Sequence, residues 1–127
     1  MATLLVIGNI NFQDFLNVLL DDYNYEIIQT KNLDEASKFF DKFRNKLDSI
    51  LVNREEDPDS VDLLVQHIGK QEPFLPIIVF SFEDHELLKL VKKQCGYSHW
   101  IPRDTEKTAI IEMINRIISE SKVLIHK

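Results

Sequence analysis

The sequence predicts a doubly wound α/β fold, with five short parallel strands alternating with amphipathic helices on both faces of one sheet. Three observations carry that expectation. Short apolar runs at residues 4–7, 50–52 and 77–80 are too brief for helices and are bounded by polar residues, the pattern of strands buried on both faces. Between them apolar residues recur at helical spacing, which gives one buried stripe per segment. The two patterns alternate along the chain, and parallel strands joined by helices require right-handed crossovers.

The first strand covers residues 3–7 (TLLVI) and stops at Gly8-Asn9. A helix follows, because Phe12, Phe15, Leu16 and Leu19 form one stripe and Asn9 or Asn11 can cap its first turn. After the break at residues 21–24, residues 25–30 (YEIIQT) alternate partially, as expected of an exposed strand near the sheet edge. Asn32 and Glu35 have capping-box spacing, and Leu33, Ala36, Phe40 and Phe43 mark the second helix. The third strand, residues 50–52, ends at Asn53 and runs into an acidic loop closed by Pro58. Val61, Leu64, Val65 and Ile68 carry a short third helix, with Gly69 as its stop. Residues 77–80 form the fourth strand, ending at Ser81. A helix burying Leu87, Leu88 and Val91 follows, with Lys92-Lys93 favoured near its negative end and Gly96 after it. Residues 97–101 make a short aromatic strand before Pro102 and Arg103. From Asp104 or Thr105 a last helix turns Ile110, Met113, Ile114 and Ile117 inward, with Ile111 and Ile118 widening that face. One domain is expected over residues 1–122, with 123–127 as a C-terminal tail.

Composition narrows the function. Fifteen Lys and Arg against 21 Asp and Glu give a net charge of −6, which excludes nonspecific nucleic-acid binding through clustered basic residues. Cys95 is the single cysteine, so neither an intrachain disulfide nor a cysteine metal cluster can form, and its expected role is core packing. The first apolar run is too short for a signal peptide or membrane span. The expected location is the cytoplasm. His67, His85, His99 and His126 are dispersed, with no pair at metal-binding helical spacing. Glu55, Glu56, Asp57, Asp59 and Asp62 lack the regular spacing of a calcium loop and are read as solvated loop and helix-start charges. No metal and no cofactor are expected.

Strand ends carry the chemistry of open α/β sheets. The residues there are Gly8-Asn9, the stretch 48–53 (DSILVN), Ser81, and Trp100 three positions before Arg103. In this layout the chain resembles the receiver domain of bacterial two-component response regulators over residues 3 to 121. The resemblance implies a flavodoxin-like fold with strand order 2-1-3-4-5. It also implies a phosphotransfer site built from two acids after strand one, an acceptor Asp after strand three, Ser or Thr after strand four and Lys after strand five. On this sequence the acidic pair falls on Gly8 and Asn9, the acceptor on Asn53, the hydroxyl on Ser81 and the lysine on Arg103. The usual proline after the basic residue is replaced by Asp104. Trp100 takes the place of the family's switch aromatic.

Aspartyl phosphorylation requires an anionic carboxylate as nucleophile and Mg²⁺ to neutralise the transferred group. Asn53 is no such nucleophile, and Gly8, Asn9 and Asn53 provide at most neutral amide oxygens for a hard cation. The formal charge at these positions and Arg103 is +1, against −2 in the family's pattern. Four departures together read as a settled loss. The expectation is a pseudo-receiver, not an enzyme, in two-component or phosphorelay signalling. It would bind a protein partner or output domain, or form a homodimer, through the last two helices and the fifth strand, with Trp100, Tyr97 and His99 at the centre. Neither nucleic acid nor membrane is an expected direct partner. Locally, Asn53 is expected to cap the third helix or pair with a loop amide. Arg103 is expected to pair with Glu55, Glu56 or Asp57, or to hold a small anion together with Ser81 and backbone N–H groups. The alternative is a small flavodoxin-like enzyme or a ligand-binding domain on the same fold. Against the enzyme, residues 8–12 have no glycine-rich or hydroxyl-rich phosphate cradle, and no Ser, His and Asp set is visible.

Overall fold

The computed structural model describes residues 2–55, 57–82, 89 and 96–125. Five strands, β1 (Ala2–Ile7), β2 (Tyr25–Gln29), β3 (Ser49–Asn53), β4 (Ile77–Ser81) and β5 (His99–Pro102), form one sheet in the order β2-β1-β3-β4-β5. Every pairing is parallel. The described helices are α1 (Ile10–Leu19), α2 (Leu33–Phe43), α3 (Pro58–Gln71) and α4 (Lys107–Ile125). The expected helix before Gly96, with Leu87, Leu88, Val91, Lys92 and Lys93, lies outside the described residues, as do Glu56, His85, Cys95 and His126.

Burial follows strand position. β1, β3 and β4 are buried along their whole length, whereas β2 and β5, at the edges, are half-buried. Side chains alternate between the faces of a strand, so each central strand feeds two cores. Leu4, Val6, Leu51, Ile78 and Phe80 meet α1 and α4, where Phe12, Leu16, Ile114 and Ile118 are packed. Leu5, Ile7, Ile50, Val52 and Val79 meet Ala36 and Phe40 of α2 and Val61, Val65 and Ile68 of α3. Full burial of each such side chain stabilises by about 1.5–3 kcal/mol relative to exposure.

The boundaries show what the pattern concealed. Asn9 caps α1, its Oδ1 accepting from the Phe12 N–H at 2.9 Å. Asn32 caps α2 through the Glu35 N–H at 2.8 Å, and the Glu35 carboxylate reaches back to the Lys31 N–H, one residue earlier than a standard capping box. Asp57, not Asn53, caps α3. Gly69 does not stop α3, which continues to Gln71 and is closed by the Glu72 N–H bonding to the Ile68 carbonyl. Gly96 takes a left-handed φ of 88°, which glycine adopts without steric cost, and a Cβ there would be in ordinary contact with the Gly69 Cα at 3.8 Å. β5 starts at His99 instead of Tyr97, and α4 starts at Lys107 and continues through 123–125.

Candidate functional site

The carboxyl ends of β1, β3, β4 and β5 bring the sequence-singled residues to one edge of the sheet. Gly8 follows β1, Asn53 ends β3 opposite Phe80, and Ser81 ends β4 opposite Pro102. Arg103 is tied to this edge by its N–H bonding to the Ser81 carbonyl at 3.2 Å. The edge divides into two unlike halves.

On the β1/β3 side, a Cβ on Gly8 would lie 2.6 Å from Phe12 Cδ2 and 3.1 Å from the Asn53 Cβ. The Phe12 ring is 1% exposed and meets Phe80 edge-on at 5.2 Å. It therefore occupies the space a side chain at position 8 would need. Asn53 is 8% exposed, and its Oδ1 accepts the Glu55 N–H at 3.1 Å. Its pairing is with a loop amide and not with the start of α3.

This side remains open. A cleft of about 470 Å³ is lined by Ile7, Gly8, Asn9, Asn32, Asn53 and Asp57, among others, and it lies where β1 and β3 send their helices to opposite faces. A neighbouring hollow of about 430 Å³ shares Ile10, Thr30 and Lys31 with it. Between the two, Gln13 clamps the loops after β1 and β2. Its Nε2 donates to the carbonyls of Gly8 and Thr30, its Oε1 accepts the Thr30 N–H at 3.1 Å, and the Thr30 hydroxyl donates to the Val6 carbonyl at 3.0 Å. Gln13 sits beside the apolar stripe of α1, and periodicity alone assigns it no partner.

On the β4/β5 side the edge is closed. Ser81 is fully buried. The Arg103 guanidinium carbon lies 5.4, 5.2 and 5.8 Å from the ring centres of Phe12, Phe15 and Phe82. Its Nε is buried with no hydrogen-bond partner, and none of the ion pairs among the described residues involves it. The expected carboxylate partner is thus replaced by an aromatic cage, in which a cation is attracted by ring quadrupoles. Glu55 instead accepts the Phe82 N–H, and Asp57 serves as a helix cap.

Asp62 also departs from expectation. It is not a solvated helix-start charge: both its oxygens bond to Arg54, with Nη2 to Oδ2 at 2.9 Å, and Oδ1 accepts the Tyr97 hydroxyl at 2.8 Å. The side chains of Arg54 and Asp62 are 7% and 15% exposed, a buried pair built directly behind Asn53. Tyr97, expected on a partner face, is only 3% exposed and belongs to the core beside α3. That leaves Trp100 and His99, both half-buried. The indole packs on the α2/α3 side and donates to the Ser81 carbonyl at 3.4 Å. His99 pairs with the Ser98 hydroxyl and lines a hollow with Phe74 and Ile117.

Among the described residues no group of three or more His, Cys, Asp or Glu is placed to hold a metal ion, and no helix is long and apolar enough to cross a membrane.

The chain has the fold of solved response-regulator receiver domains. A receiver-domain protein from Clostridium thermocellum is 18% identical, with a TM-score of 0.84 over 98% of this chain and 99% of that one. The chemotaxis protein CheY4 of Vibrio cholerae is 21% identical, with a TM-score of 0.80 over 92% and 98% of the two chains. NtrX from Brucella abortus, in complex with ADP, matches at 19% identity and a TM-score of 0.83 over 99% of this chain but 28% of its own. No protein-family model and no curated protein matches the sequence.

Proposed function

From a receiver fold whose acidic site is absent, we propose that this chain is a pseudo-receiver: a noncatalytic, cytoplasmic module of bacterial two-component or phosphorelay signalling that works by docking. Gly8, Asn9, Asn53, Ser81 and Arg103 are then the remnant of a phosphotransfer site, with no resident metal or cofactor. The observation that carries this reading is the Phe12 ring in the space of a side chain at position 8, 2.6 Å from where its Cβ would be. A carboxylate cannot be restored there without displacing a core aromatic. Asn53 adds a neutral amide where a nucleophile is required, and Arg103 is engaged by rings instead of reaching toward an anion.

The docking face is the exposed β5 edge, with His99 on the α4 side and Trp100 on the α2/α3 side, and its occupant is a protein partner, an output domain or a second copy. Tyr97 supports that edge from within. The test is capture of partners from native lysate with and without acetyl phosphate and Mg²⁺. The same partner should be retained under both conditions and lost with Trp100→Ala. Capture that depends on the phosphodonor, or survives Trp100→Ala combined with His99→Ala, contradicts the reading.

A further inference from the structure

β2 and β5 both lie at a sheet edge, but they end the sheet differently. β5 has four residues and closes on Pro102, which has no N–H for a further strand, whereas β2 has five residues with neither proline nor glycine and pairs with β1 in unbroken register. We infer that the β2 edge is an interface between two copies of this chain, pairing antiparallel about a two-fold axis at Ile27 and joining two sheets into one.

The inference is independent of the docking reading and starts from the register. The Asp48 N–H bonds to the Thr3 carbonyl and the Thr3 N–H to the Asp48 carboxylate, so Thr3 turns its backbone groups toward β3. Backbone direction alternates along a strand, and Leu4 and Val6 therefore turn theirs toward β2. With Leu4 opposite Ile27, Glu26 and Ile28 answer β1, and the backbone groups of Tyr25, Ile27 and Gln29 point off the sheet. Of this outward set, only the Tyr25 N–H is bonded among the described residues, to the Tyr23 carbonyl.

A two-fold axis at Ile27 fits that pattern. Ile27 of each copy exchanges both backbone bonds with its counterpart, and the Gln29 N–H meets the Tyr25 carbonyl of the other copy. A shift by one residue would set groups already bonded to β1 against open ones, so the register is fixed. Side chains are self-complementary too. Glu26 falls opposite Ile28 of the second copy, so no like charges face each other, and each Glu26 keeps its ion pair with Lys46. Both faces offer half-buried apolar residues to cover: Tyr25 and Ile27 on the α1/α4 face, and Ile28 on the face that also holds the half-buried Phe39 and Phe43 of α2. The same axis sets the two α2 helices antiparallel on one face. The acidic first turn of each, Asp34 and Glu35, then lies toward the end of the other that carries Lys42. This opposition of charge makes a second copy the matching occupant.

The test combines sedimentation equilibrium with amide hydrogen exchange, at concentrations up to about 1 mM because so short an edge makes a small interface and a weak dimer. A reversible monomer–dimer equilibrium is expected, with exchange at the Ile27 and Gln29 amides slowing as the dimer fills. Ile27→Lys places like charges at the axis, and Gln29→Pro removes an outward N–H at an exposed position; each should weaken association about tenfold or more while keeping a parent-like amide spectrum. Trp100→Ala, at the opposite edge, should leave the dimer unchanged. The inference is overturned if the chain stays monomeric at the highest concentration, if exchange at Ile27 and Gln29 does not depend on concentration, if either folded β2 variant dimerises like the parent chain, or if Trp100→Ala abolishes the dimer.

Discussion

Two arginines follow strand ends on the same edge of this sheet, and the chain accommodates them in opposite ways. Arg54, after β3, is buried against Asp62 in a forked ion pair that also takes the Tyr97 hydroxyl. Arg103, after β5, has no ion pair among the described residues and sits among the rings of Phe12, Phe15 and Phe82. A buried cation needs compensation, and a carboxylate or a set of ring faces can provide it. The difference is in what happens on disruption. Removing one member of a buried pair strands a charge, whereas a ring cage loses several small attractions. The half of the edge behind Asn53 is therefore held by a charge pair, and the half around Arg103 by contacts with rings.

The most severe break is Asp62→Ala, which leaves Arg54 buried and unpaired. It should cost about 3–5 kcal/mol in urea unfolding. Replacing both partners by apolar residues of similar size should recover most of that loss, since the pair is costly to desolvate.

Gly8→Ala comes next. Its methyl would press on Phe12, which is held by Phe80, and overpacking of this kind costs about 1–3 kcal/mol. A Phe12→Leu background should reduce the added cost, and a full penalty in that background would show that the ring is not the obstacle.

Tyr25 provides a third case, a half-buried phenol in β2 donating to Asn115. Burial first, and the charge of Tyr23 second, push its pKa above the ordinary 10.0. The folded chain then holds this proton longer than the unfolded chain. The contribution is complete below the unfolded value, near pH 10, and is lost as pH rises through the folded value. Tyr25→Phe should flatten the alkaline arm of the stability curve, measured by thermal melts across pH 9 to 11.

The smallest effect is expected for Arg103→Met. Lost cation–π attraction, about 0.5–1 kcal/mol per exposed contact, is offset by removing an Nε that is buried without a partner. The net change should be within about 1 kcal/mol. A loss as large as that of Asp62→Ala would erase the contrast between the two arginines.

Much of this fold was legible because burial on both faces leaves an unmistakable mark. Residues 50–52 and 77–80 are unbroken apolar runs, and they form central strands with every residue buried. The strand ends followed directly, which placed Gly8, Asn53, Ser81 and Arg103 on one edge. What the sequence concealed are pairings between distant residues of ordinary composition. Asp62 looks like one more acid in an acidic segment until Arg54 and Tyr97, 35 residues further along, close on it. Arg103 sits near acids in sequence terms, yet its rings come from α1 and the end of β4, and neither periodicity nor charge pattern links those segments. Gly69 reads as a helix stop because glycine commonly ends helices, yet α3 runs past it to Gln71. Phe12 was legible as part of the buried stripe of α1, but Gly8 lies before the cap Asn9, so periodicity does not show the ring against position 8.

The central claim is that the receiver fold persists here without its phosphoryl chemistry. Intact mass spectrometry after incubation with acetyl phosphate and Mg²⁺ tests it most directly. The account predicts an unchanged mass, both for the parent chain and for Asn53→Asp, because the Phe12 ring still fills the space at position 8. A stable single phosphoryl adduct on the parent chain, mapped to residue 53 or a neighbour in the cleft, would contradict it.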